Sequence, residues 1–146
     1  MSASGNIKLK PRQEQLLRRL ISELEKGIPG LVAAYRFGSW GTTAERADSD
    51  IDLAILAPAP LESVRRWELA ERLAMIAGRN VDLVDLGTAS AVMRAQVIAS
   101  GARVFCADEP RCAEFEDFVY SDYARLNEER REILADIRER GSVYDR

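Results

Sequence analysis

Apolar residues recur at helical spacing through Leu16, Leu17, Leu20, Ile21 and Leu24, which predicts an amphipathic helix with one buried face. Pro11 suits its first turn and Gly27 its end. The period then shortens. Residues 31–37 predict a strand, a Gly/Thr-rich turn follows, and residues 50–56 predict a second strand that Pro58 and Pro60 stop. Residues 61–77 return to helical spacing, with Trp67, Leu69, Leu73 and Ile76 in the apolar set. A third strand over 81–86 places Val81, Leu83 and Asp85 on one side and Asp82, Val84 and Leu86 on the other. A helix over 89–100 stops at Gly101, and a short strand follows over 102–107. Residues 110–139 predict one long charged helix or a pair. Their stripe of Phe115, Val119, Tyr123, Leu126, Ile133, Leu134 and Ile137 is expected to pack on the sheet, and its aromatic content leaves room for a partner surface. With a mobile start over about 1–10, a C-terminal helical region over 110–140 and no repeat or linker, the alternation predicts one α/β or α+β domain over 1–146.

One stretch of this pattern reads as chemistry. Gly38 and Ser39 close the first strand, and after ten intervening residues Asp50 and Asp52 open the second. Alternate strand residues share a face, so Asp50 and Asp52 project together from backbones roughly 6.7 Å apart. Carboxylates so spaced can converge on two divalent ions about 3.5–4 Å apart. Gly38 permits close approach of a ligand to the backbone, and Ser39 adds a hydroxyl beside turn amides that can receive phosphate oxygens. Asp-x-Asp alone is a weak signal, since paired aspartates at strand starts are usually solvated. The Gly-Ser turn and the adjoining apolar strand make it specific.

This constellation resembles the minimal nucleotidyltransferases of the DNA polymerase beta-type superfamily. Phe37, Ser49, Leu53, the 54–56 apolar run and the 80–86 strand also suit that family, so the resemblance covers roughly residues 31–86. It implies a small mixed β-sheet with helices packed behind it, ATP as substrate, and Mg2+, in two ions, as cofactor. By the same resemblance Gly38 and Ser39 contact the nucleotide and Asp50 and Asp52 hold metal. An acid on a neighbouring strand completes the site and accepts the proton. Asp82 is preferred to Asp85 for this third place, because Asp85 falls with the core-facing Val81 and Leu83. Many relatives carry Gly-Ser-x-Ala-Arg-Gly where this chain has Gly-Ser-Trp-Gly-Thr-Thr, so the usual loop arginine is missing. Arg46 either substitutes from the same loop or is solvated, and Trp40 either stacks near the nucleotide or closes the sheet edge.

The order of elements resembles the small adenylyltransferase antitoxins encoded beside HEPN-domain toxins. This implies AMP transfer from ATP to a tyrosine of a HEPN ribonuclease. The alternatives are a non-catalytic antitoxin that occludes its partner and a nucleotidyltransferase acting on a small molecule. Composition narrows the field. With no histidine among 146 residues, a Ser-His-Asp or Cys-His system is excluded and any base working near neutral pH is a carboxylate. The 21 basic residues against 24 acidic ones, with no basic block, disfavour stable nucleic-acid binding. No apolar run of membrane-spanning length or signal core is present, so a cytoplasmic protein is expected. Cys106 and Cys112 read as two free thiols rather than a metal site.

Overall fold

The computed structural model describes residues 9–139, and most of the stretch expected to be mobile lies outside them. Four helices and four strands follow in the order α1 (Pro11–Gly27), β1 (Ala33–Phe37), β2 (Ile51–Leu56), α2 (Ser63–Ala77), β3 (Val81–Asp85), α3 (Ala91–Ser100), β4 (Ala102–Cys106) and α4 (Glu109–Glu139). Every element expected from the hydrophobic pattern is present, with ends displaced by one or two residues, and the C-terminal region is one helix. The strands form one mixed sheet in the order β3-β2-β1-β4. β1 runs antiparallel to β2 and β4, whereas β2 and β3 are parallel, joined by the crossover through α2.

Strand alternation sorts the core into two layers. Ala34, Ile51, Leu53, Ile55, Val81 and Leu83 pack with Leu17, Leu20 and Leu24 of α1 and Leu69 and Leu73 of α2. Ala33, Tyr35, Ala54 and Leu86 pack on the other side with Val97 of α3 and Cys112 of α4. Because β1 and β2 are buried on both faces, their sequences read as nearly continuous apolar runs.

Two expectations change at the periphery. Trp67 is not part of the buried face of α2: it is 63% exposed, and Leu69 and Leu73 carry the contact with the sheet. The stripe on α4 packs only near its start, where Cys112 and Val119 are buried, while Ile133, Leu134 and Ile137 are each more than half exposed. A 31-residue helix is about 46 Å long at 1.5 Å per residue, longer than strands of five or six residues can cover. The cysteines also differ from expectation. β4 ends at Cys106 and α4 begins at Glu109, so the reversal brings the two Cα atoms to 6.5 Å and the sulfurs form a disulfide. Among the described residues no helix is long and apolar enough to cross a membrane.

Candidate active site

The hairpin from β1 to β2 builds the site. In its register Phe37 stands opposite Asp52, so Gly38 begins the turn directly beside that carboxylate. Gly38 has φ +75°, a left-handed conformation that favours glycine. A Cβ there would collide with the Asp52 Oδ2 and lie 2.9 Å from its Cγ. Both the dihedral and the contact require this residue.

The connecting loop is tied by side chains. Thr42 donates to the Ser39 carbonyl through its hydroxyl (2.6 Å) and its amide (3.0 Å). Gly41 N–H donates to Glu45 Oε1 (2.9 Å), and Gln13 of α1 donates to the same oxygen (2.8 Å). These bonds hold the Glu45 carboxyl below its ordinary range, the Gly41 amide contributing most. The hydroxyls of Ser39 and Ser49 lie 3.0 Å apart, and the Ser49 Oγ accepts from the Arg46 amide (2.8 Å). Arg79, after α2, donates to the Ser49 carbonyl at 2.8 Å. Ser39 is therefore set against the far end of its own loop.

β3 brings another acid beside this pair. In the parallel register Asp52 pairs with Asp82, on strands about 4.8 Å apart. Their side chains share a face, with Asp50 just before β2. Asp50 and Asp82 are exposed and Asp52 is half-buried. Its carboxyl is pushed up to about 6, first by burial, then by the charge of Asp82, then by that of Asp50. Asp85 lies elsewhere. It is 5% exposed, and its two oxygens accept from the amides of Leu61 (2.8 Å) and Gly87 (2.9 Å), securing the loops on either side of α2 and β3. Burial of a carboxylate is tolerated there because both oxygens are satisfied.

The remaining loop candidates separate clearly. Arg46 is exposed and its backbone, not its side chain, makes the described contact. Trp40 is 2% exposed and belongs to the core with α1, so it turns inward rather than toward a ligand. Three contributors were not anticipated: Glu45 and Arg79, which tie the loop, and Arg36, which is buried beneath it. Arg36 had a visible signal, a single charge inside an otherwise apolar strand.

Among the described residues no three acidic or thiol side chains are already gathered closely enough to enclose a metal ion. The donor set of Asp50, Asp52 and Asp82 nevertheless suits a hard cation, since all are oxygen donors and Asp52 bears the unrelieved repulsion of the other two. That repulsion makes a stability prediction. An acid whose folded pKa lies near 6, above its unfolded 3.8, costs stability above about pH 6. The cost disappears as the pH falls toward 4, because the folded state then takes up the proton first. Asp52→Asn should thus raise the Tm at pH 7.5 by about 3 °C, on the order of 1 kcal/mol after solvent screening. The gain should close near pH 4. Calorimetry at both pH values decides it, and a gain that persists at pH 4 would not come from charge.

Comparison with known proteins agrees with this fold. The profile of the family described as "Polymerase beta, Nucleotidyltransferase" matches residues 19–110. The chain is similar to the protein adenylyltransferase MntA of Shewanella oneidensis, 37% identical over 119 residues that span 82% of this chain and 85% of that protein. Among solved structures it is similar to the MNT antitoxin in complex with a tri-AMPylated HEPN toxin of Shewanella oneidensis. The identity is 35%, with 85% of this chain and 97% of the other covered and a TM-score of 0.73. A toxin-antitoxin complex with AMP-PNP gives 37% identity, 82% and 96% coverage and a TM-score of 0.74.

Proposed function

Because this chain belongs to the polymerase beta nucleotidyltransferase family, we propose that it transfers AMP from ATP to a tyrosine of a cognate HEPN-domain toxin in the cytoplasm, as a protein adenylyltransferase antitoxin. The observation that carries the reading is the row formed by Gly38 at the turn after β1, Asp52 on β2 and Asp82 on β3, with Asp50 at its edge. It is joined to similarity with an adenylyltransferase and with antitoxins bound to HEPN toxins. The entire chain over 1–146 then acts as one catalytic unit.

Asp50 and Asp52, with Asp82, would hold magnesium, which when bound neutralises phosphate charge and acidifies a coordinated hydroxyl. Gly38 leaves room for the triphosphate against the backbone, and the Ser39 hydroxyl offers it a hydrogen bond. The tyrosyl oxygen forms a bond to the α-phosphorus, the bond to pyrophosphate breaks, and the phenolic proton passes to Asp82. Asp82 suits that role because it is exposed on the same face as Asp52. A carboxylate near pKa 4 facing a phenol near 10 is short by about six units, roughly 8 kcal/mol, so the base does not act unaided.

AMP on a tyrosine adds a negative phosphodiester and a bulky nucleoside, which would oppose RNA binding at a cationic site through charge and volume together. Intact-mass spectrometry of the toxin after co-expression with this protein should show additions of one or more AMP units. In a purified reaction a chelator should prevent them. Unmodified toxin that is fully neutralised would favour occlusion instead.

A further inference from the structure

Arg36 of β1 is 3% exposed, yet it carries a charge. Its Nη1 donates to the Trp40 carbonyl at 2.9 Å, and a Cβ on Gly41 would stand 3.4 Å from the same nitrogen. The guanidinium thus lies against the underside of the turn running from Gly38 to Gly41. Among the described residues its Nε has no hydrogen-bond partner and no carboxylate forms an ion pair with the guanidinium. Burial alone pulls its pKa below the ordinary arginine value. A buried cation without a counter-charge is destabilising. Such a cost persists where function uses it, and the nearest functional element is the turn on which an anion would dock.

We propose that Arg36 is a positioning residue for the triphosphate, a buried cation that holds the Trp40 carbonyl inward and whose charge is balanced only when an anionic nucleotide occupies the Gly38–Ser39 turn. The inference rests on the nucleotidyltransferase reading and adds a residue to it. The loop here lacks the arginine found in many relatives of this resemblance, so positive charge reaches the turn from within the sheet. Drawing the Trp40 carbonyl down also removes a negative dipole end from the path of a phosphate. Two consequences of opposite sign follow. Removing the charge should weaken binding in proportion to ligand charge, and it should not destabilise the fold.

The test compares the full chain with its Arg36→Met and Arg36→Lys variants. Calorimetric titration with magnesium and AMP-PNP, and separately with AMP, gives affinities, and thermal denaturation gives stability. In Arg36→Met the AMP-PNP affinity should fall about tenfold, a 1.4 kcal/mol change. The AMP affinity should fall by no more than about twofold, since fewer charges face the turn. The Tm should hold or rise, as expected when an uncompensated buried charge is replaced by a flexible apolar side chain. Arg36→Lys, which keeps the charge, should bind AMP-PNP more tightly than Arg36→Met. Equal losses for AMP-PNP and AMP, or a lysine variant no better than methionine, would overturn the role of charge. Should Arg36→Met fail to fold, Arg36→Gln, which removes the charge but keeps a hydrogen-bond donor, takes its place in the same comparison, and failure of both to fold overturns the proposal. A parent that binds no AMP-PNP sinks the nucleotide site together with this inference. A parent that binds, beside an Arg36→Met variant that binds equally well, sinks this inference alone.

Discussion

Replacing Asp50 and Asp52 together by asparagine should reduce AMP transfer by at least ~10³-fold, comparable to or greater than removal of a principal electrostatic group from an active site, while leaving the fold intact. The two side chains do different things in the free protein. Asp50 is exposed before β2, and Asp52 is half-buried and held at a raised pKa by its surroundings and neighbours. Neither has a described hydrogen-bond partner whose loss would unfold the hairpin, and the pair repel each other. The double variant should therefore melt no lower than the parent at pH 7.5. Loss of transfer with an unchanged or higher Tm assigns the carboxylates to chemistry. Transfer above a tenth of the parental rate in a folded double variant would remove them from it. The same protein separates modification from occlusion: if it still neutralises the toxin fully, binding rather than AMP transfer is what silences the partner.

How much of this was legible beforehand depended on how local the determinants are. Gly38, Ser39, Asp50 and Asp52 lie on one hairpin, and the β1–β2 register brings Gly38 to Asp52 without help from distant parts of the chain. The separation of Asp82 from Asp85 followed from strand alternation, which is local too. What stayed hidden depended on contacts far apart in sequence. The inward turn of Trp40 follows from packing with α1, and the clamp on Gly41 runs through Glu45 to Gln13, 32 residues away. Alternation already turned Asp85 toward the core, but the Leu61 amide that satisfies it there lies 24 residues earlier. Helical spacing also overstated burial. Trp67 and the Ile133, Leu134 and Ile137 group have the right period, but period tells which residues share a face and not whether anything lies opposite.

Asp82→Asn and Asp85→Asn should fail in opposite ways, although the residues are three apart on one strand. Asp82 is exposed and adjacent to Asp52 in the parallel register, so asparagine there removes a negative charge from the site without breaking a described hydrogen bond. The expected result is a transfer rate lower by ~10²–10³-fold with a Tm at or slightly above the parent's, since one source of repulsion on Asp52 is gone. Asp85 is buried, and its two oxygens receive the Leu61 and Gly87 amides. An asparagine places a donor where one acceptor stood, leaving a buried N–H facing a backbone amide. That should cost about 1–3 kcal/mol of stability, while the folded fraction retains transfer within a few-fold of the parent. Rates normalised to folded protein, measured beside urea denaturation of the same preparations, distinguish the two. If Asp85→Asn proves inactive yet stable, and Asp82→Asn active, the third carboxylate of the site is Asp85, and the alternation of β3 has been read to the wrong face.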